Sequence, residues 1–351
     1  MAAYISFQPS DHFNTKLYTG NQATGNAVTG VGFQPDFVWV KDVDGVRNHV
    51  LFDSVRGTET YYYSNTASGN GTDPNSLSSF DADGFTVGSW EIPNYDTHEY
   101  GSWNWKGGTT SGKPTVDETI TPTGYNYSAT SGFGIYKWDG TSSAGLIAHG
   151  LGAAQAGGKA MLFVKRYNGT TDWQAGHSGF TSWVYQISLN LSTVEQTSTE
   201  VFNSTGPTAT TFSLGDSGGS NYSSRSYIGY LFMERRGFSK FGHYEGNGNV
   251  DGPFIYTGFK PNMILLKNTD LVSDWEMSDT RRLGYNDAQK RIKPNDTSAQ
   301  QNSPRVRLLS NGFKLLTSDG TYVNGGGNRI AYAAFADKAF VSSNSVPTTA
   351  R

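Results

Sequence analysis

Ten residues of this chain, Gly32-Phe33-Gln34-Pro35-Asp36-Phe37-Val38-Trp39-Val40-Lys41, return near the other end as Gly258-Phe259-Lys260-Pro261-Asn262-Met263-Ile264-Leu265-Leu266-Lys267. The shared pattern is Gly-Phe-x-Pro, a polar residue, four apolar residues and a lysine. Glycine permits the tight approach of a turn. Proline fixes φ and can stand where a strand begins, before its amide is needed. The pattern predicts a turn feeding a short apolar strand, with the lysine returning that strand to solvent. A chain built this way is constrained first by repetition.

More than the core recurs. Tyr18-Thr19-Gly20-Asn21 matches Tyr244-Glu245-Gly246-Asn247, and the Phe80–Ser89 segment matches Leu309–Ser318. Aromatic, alternating strands close the two units at Tyr100–Lys106 and Ile330–Ala336. A weaker middle copy opens at Gly134, carries Ala160-Met161-Leu162-Phe163-Val164-Lys165 and closes at Tyr227–Met233. It has lost the Gly-Phe-x-Pro turn and has a small-residue insertion after His149-Gly150-Leu151-Gly152. Four elements recurring in one order indicate three homologous units, with strand-ending lysines at 41, 165 and 267.

The expected division is an N-terminal arm (1–16), unit one (17–106), a linker (107–132), unit two (133–236), unit three (237–336) and a C-terminal tail (337–351). Gly, Thr, Ser and Pro dominate the linker, so unit one should be the loosely joined member. The short Glu234-Arg235-Arg236-Gly237 junction predicts close packing of units two and three. No window shows a convincing helical period, and the best short helix candidate is Ala144–His149. The expected fold is all-β, with tandem β-sandwich or jelly-roll-like units.

Composition narrows the function classes. Aromatics make up 14% of the 351 residues and charged residues 16%, the reverse of a disordered chain. With a formal net charge of -3 and no basic run, nucleic-acid binding is not expected. There is no cysteine, so disulfides and thiolate metal sites are excluded and folding in a reducing cytoplasm is expected. No signal peptide and no spanning helix is expected.

The search for chemistry is largely negative. None of the histidines 12, 49, 98, 149, 177 and 243 has helical zinc spacing, and neither metal nor cofactor is expected. Gly215-Asp216-Ser217-Gly218-Gly219 has the form of a hydrolase nucleophile elbow, but no helix follows it, so a turn is the better reading. Glu91, Asp96, Glu99, Glu276 and Asp279 are the candidates for a glycosidase carboxylate pair. No catalytic residue is assigned, and an enzyme is not expected. Aromatics in polar loops suit recognition of sugars or proteins. The candidate recognition residues are Trp90, Tyr95, His98, Tyr100 and His177. Trp173 and Trp275 each follow a strand-ending lysine by eight residues, with an aspartate before them, and His49 holds that place after Lys41. The recurrence at Trp173 and Trp275 favours a structural role, and the histidine at the matching place argues the other way.

The ten-residue core, His49–Gly57, Phe80–Ser89, and Phe238–Gly242 with Gly252–Phe259 resemble a family of repeat-bearing virion proteins of tailed, often marine, bacteriophages. The resemblance covers about residues 1–336. It implies a virion structural or tail-associated protein, folded in the host cytoplasm. A tail fibre or receptor-binding component is the leading form, with a capsid decoration, head fibre or tail adaptor as the alternative. A carbohydrate-degrading enzyme is a third reading. The implied partners are other virion proteins, further copies of the chain (a homo-oligomer, with a trimer as one form) and a host-surface glycan or protein. No catalytic or binding residue carries over from the family.

Overall fold

Side chains alternate across a strand, so an unbroken apolar run must be covered on both faces. The structure, a computed structural model, describes residues 7–153, 159–282 and 287–338. Residues 1–6 of the expected arm, much of the middle unit's insertion and residues 339–351 of the tail lie outside the described residues. The three lysine-ended runs form the strands Phe37–Asp42, Ala160–Arg166 and Met263–Asn268. Val38 and Val40 enter a core belonging to unit one, Leu162 and Val164 one of unit two, and Ile264 and Leu266 one of unit three. The alternate residues are Phe37 and Trp39, Met161 and Phe163, and Met263 and Leu265. All six meet in a single cluster shared by the three units.

Each run lies inside an antiparallel main sheet. In unit one the order is Phe13–Thr19, Glu99–Trp105, Phe37–Asp42, Val50–Asp53, Gly57–Tyr63 and Gly71–Thr72. Unit two repeats it as Phe133–Asp139, Ser226–Met233, Ala160–Arg166, Gln174–His177, Tyr185–Ser188 and Gln196–Thr197, with Gly124–Ser128 added outside the first. A small second sheet covers the outer core in each. It comprises Asn26–Thr29, Gly84–Val87 and Leu77–Asp81 in unit one, and Gly145–Ala148 with Thr211–Leu214 in unit two. In unit three the main sheet of Ser239–Glu245, Arg329–Phe335, Met263–Asn268, Glu276–Asp279 and Asp287–Ile292 continues through Gln301–Leu309, Gly312–Leu315 and Phe254–Tyr256. These eight strands make a nearly closed barrel. The fold is predominantly β throughout.

Three expectations are corrected. The Ala144–His149 helix is the strand Gly145–Ala148, whose pairing with Thr211–Leu214 overrides a weak helical pattern. The repeat reaches back into the arm, because Phe13–Thr19 pairs with the closing strand of unit one as Ser239–Glu245 does in unit three. Unit one is not loosely joined. Phe13, Trp103 and Trp105 stand in the shared cluster, and the expected linker supplies the strand Gly124–Ser128.

The three lysines do not return to solvent. Lys41, Lys165 and Lys267 are buried, because their place in the alternation puts them on the inter-unit side. Lys165 Nζ donates to the Ala67 carbonyl of unit one at 2.8 Å and to Thr171 of its own unit. Lys267 Nζ donates to Ser192 of unit two (3.4 Å) and to its own Ser273 (2.7 Å). Lys41 Nζ donates to Thr297 of unit three (3.2 Å) and to its own Asp42 and Gly45 (2.6 and 3.0 Å). Each unit thus grips the one before it, and the last is gripped by the first.

A second set of contacts runs the same way round. The Trp173 indole donates to the Tyr63 carbonyl of unit one at 2.9 Å, and the Trp275 indole to Ser188 of unit two at 3.2 Å. In unit one His49 holds the place. Its Nδ1 accepts the Trp39 indole N–H at 3.0 Å, which leaves the neutral ring's proton on Nε2, beside the Lys293 backbone of unit three. That last contact falls short of a well-formed hydrogen bond. The backbone N–H of each anchor donates to an asparagine, His49 to Asn65, Trp173 to Asn190 and Trp275 to Asn295. Each asparagine in turn donates to the residue before the anchor, Asn48, Asp172 or Asp274. The structural role expected of Trp173 and Trp275 is the one the structure gives them.

Candidate functional site

The loop between Gly84–Val87 and Glu99–Trp105 is set by a single side chain. Asn94, fully buried at the end of the short helix Glu91–Asn94, donates to the carbonyls of Gly88 and Ala23 and accepts the Asn21 N–H at 2.9 Å. Asn221 does the same for residues 141–143 of unit two, and Asn324 for residues 247–249 of unit three. Gly20, Gly140 and Gly246 let the chains touch. A Cβ on Gly140 would stand 2.1 Å from the Tyr222 carbonyl oxygen, and one on Gly20 2.0 Å from that of Tyr95.

On this frame two aromatic groups lie side by side in unit one. Trp90 packs on Tyr61 with ring centres 4.5 Å apart, and Tyr61 on Tyr63 at 5.1 Å. All three rings are half-buried. Beyond Glu91, the Arg47 guanidinium lies 4.1 Å above the Tyr95 ring, and His98 meets Tyr95 edge-on at 4.7 Å. Asp42, buried beneath them, gathers this group. Its carboxylate accepts the N–H groups of Asp44 and Gly45, takes Arg47 Nε at 3.1 Å and lies 2.8 Å from His98 Nδ1. Half-open aromatic faces beside a fixed charged rim can stack on and hydrogen-bond a ligand.

Of the residues expected to form this site, Trp90, Tyr95 and His98 are here, and two are not available to a ligand. Tyr100 is fully buried, stacks on Tyr18 at 4.9 Å and accepts the Tyr95 N–H at 2.7 Å through its hydroxyl. Tyr227 holds Tyr222 of unit two in the same manner, so Tyr100 belongs to the repeat. His177 lies at the seam of units two and three between Phe180 and Phe241. Its Nδ1 accepts the Gly179 N–H, the turn-closing role that Asp53 and Asp279 fill in the other units. Burial, then nearby Lys159, pushes its pKa down to about 3, so it is neutral. Asp42, Arg47, Tyr61 and Tyr63 escaped the sequence reading. The signal was the Tyr61-Tyr62-Tyr63 run, in which Tyr62 turns into the shared core and its neighbours turn away.

Glu91, Asp96 and Glu99 stay exposed around the aromatic loop, whereas the other candidates resolve as structure. Glu276 is buried against Arg291 and Arg305, and Asp279 against Arg282. Ser217 Oγ accepts the Gly219 N–H of its own turn. Among the described residues no group of three or more His, Asp or Glu could hold a metal, and no helix is long and apolar enough to cross a membrane.

The sequence profile of a family described as a domain of unknown function, DUF7483, matches residues 8–339. The chain belongs to that family. The match spans all three units and the strands that close them, so the family's domain is the whole ring. No curated protein and no solved structure matches the chain.

Proposed function

We propose that this protein is a structural component of a bacteriophage virion, in the first instance a tail fibre or other receptor-binding part. Units one and two are taken as β-sandwiches, jelly-roll-like in pairing a large and a small sheet, and unit three as the same arrangement with its sheet continued into a nearly closed barrel. The observation that carries the reading is the closed ring of lysine and anchor contacts. Head-to-tail contacts that close imply a rotation axis, and rotation keeps equivalent loops at one height along it. The loops around Asn94, Asn221 and Asn324 then share one end of a rigid body, a frame suited to multivalent display. The Trp90–His98 loop of unit one, the most aromatic of them, is the proposed contact with a host-surface glycan or protein. The sequence resemblance supplies the virion setting and the other virion proteins as partners. Because the chain completes its own core, a homo-oligomer, the trimer included, must use the outer surface.

Cryo-electron microscopy of the assembled particles of a phage encoding this chain tests this. Density for the ring on the tail is the expected result. A ring on the capsid would replace it with the second reading, a decoration or head-fibre protein, and a particle without the protein would end both.

A further inference from the structure

The seam between units one and two contains a cleft of about 430 Å³, away from the aromatic loop. Its floor is Asp36, the polar residue of the first repeat motif, which is 5% exposed. Three groups hold it still. Asn126 Nδ2 donates to Oδ1 at 2.7 Å, the Gly107 N–H donates to Oδ2 at 2.8 Å, and the same Asn126 amide donates to Ser54 Oγ at 2.9 Å. Gln34 and Thr123 stand at the rim, and Tyr125 is a half-buried wall.

The repeat shows what is unusual here. At the seam of units three and one, Asn262 and Thr280 hold the places of Asp36 and Ser54, and Thr15 on the edge strand of unit one faces them. There Thr15 Oγ1 donates to Asn262 Oδ1 at 2.6 Å, and Asn262 Nδ2 donates to Thr280 Oγ1 at 2.9 Å. That seam is satisfied by neutral groups. In the first seam a carboxylate replaces the amide, and no ion pair is formed by Asp36 among the described residues. The other buried aspartates, Asp42, Asp53 and Asp279, each meet an arginine. Burial raises the pKa of Asp36, against hydrogen bonds from Ser54, Gly107 and Asn126 and the nearby charge of Lys106. A desolvated carboxylate with Lys106 nearby but in no direct ion pair, opening on a cleft, marks a site more than a scaffold.

We propose that this cleft binds a neutral saccharide of one or two pyranose rings. The volume lies low in the range of small-molecule sites, ~300–1,000 Å³. A carboxylate held by fixed donors accepts hydrogen bonds from adjacent hydroxyls, the Asn126, Ser54 and Gln34 side chains add further donors and acceptors, and the Tyr125 ring offers an apolar face. No lysine or arginine lines the cleft, which disfavours phosphate, sulfate and other anions. One carboxylate is too few for a calcium site, which takes about six to eight oxygens. The inference is independent of the virion assignment.

The test is saturation-transfer NMR and calorimetry on the full chain. The probes are glucose, galactose, mannose, N-acetylglucosamine and their disaccharides, with glucose 6-phosphate and choline as charged counterparts. At least one neutral sugar should bind with a millimolar Kd, and Asp36→Asn should weaken it about tenfold or more. Asparagine stands at this position in unit three, so the substitution suits the fold. Tyr125→Leu, expected to weaken binding similarly, carries the test should Asp36→Asn lower the Tm sharply. Trp90→Ala, in the aromatic loop, tells which of the two sites holds the sugar. No neutral sugar bound at about 10 mM, tighter binding of choline or glucose 6-phosphate, or binding that survives both cleft variants would overturn the proposal. Loss with Trp90→Ala alone would move the sugar to the aromatic loop and leave the receptor reading standing without this cleft.

Discussion

A lysine that closes an apolar strand is ordinarily solvated, and three equivalent ones here are buried cross-links between units. Burial pushes the pKa of Lys41 and Lys165 down to about 8 and that of Lys267 to about 7, from 10.5. Between those folded values and 10.5 the unfolded chain binds more protons than the folded one, so stability rises with pH there. Above about pH 10 the sign reverses. Tyr62 and Tyr100 are held well above the usual tyrosine range by burial, so they stay protonated in the fold while ionising in the unfolded chain. Thermal melts from pH 6 to 11 should therefore show a maximum near pH 10. Lys267→Met should flatten the rise, and an unaltered profile in that variant would remove the lysine from the account. At neutral pH the same variant should lose about 1–3 kcal/mol, since it leaves the part-buried Ser192 carbonyl and the buried Ser273 carbonyl short of a donor. Trp275→Ala should cost more, about 3–5 kcal/mol, because it empties a ring's volume from the shared core. Urea titration measures both.

At the scale of elements, the loops are governed by one asparagine per unit. Asn324 donates to the Thr317 carbonyl at 2.6 Å and to the Asn249 carbonyl at 2.8 Å, and accepts the Asn247 N–H at 2.9 Å. Asn324→Ala should cost at least about 2 kcal/mol, because several buried polar groups lose partners together. Hydrogen exchange should quicken in residues 246–250 while the central strands keep their protection. Uniform quickening throughout the unit would argue against a local clamp. The strands themselves were largely legible. Phe37–Lys41, Gly84–Val87, Tyr100–Trp105 and the three-fold recurrence all follow from period and turn residues. The strand Gly145–Ala148 was not, because so short an apolar stretch takes its conformation from Thr211–Leu214, more than sixty residues away.

For the whole molecule, the shared cluster makes the units interdependent. Trp39, Phe163 and Leu265 hold equivalent places on their strands within that cluster, the Trp39 indole donates to His49, and the Phe163 ring meets Trp275 of unit three edge-on at 6.4 Å. A unit expressed alone would expose the face that carries these residues. Residues 7–107 by themselves should aggregate or stay unfolded, and the full chain should unfold in one step, with tryptophan fluorescence and far-ultraviolet circular dichroism superimposing. Separate transitions would mean the units fold independently.

The sequence by itself determined the repeat, the strands and their two-faced burial, because alternation and turn chemistry are local. It also pointed to Trp173, Trp275 and His49 as one structural position, through spacing alone. The tertiary structure decided the closure. Whether Lys41 meets water or the Thr297 carbonyl depends on a neighbour more than 250 residues away, and nothing in ten residues of motif encodes that distance. The candidate sites divide the same way. Trp90, Tyr95 and His98 stood out as aromatics in a polar loop. Asp36 read only as the polar residue of a turn, and its meaning came from the seam that buries it outside any direct ion pair.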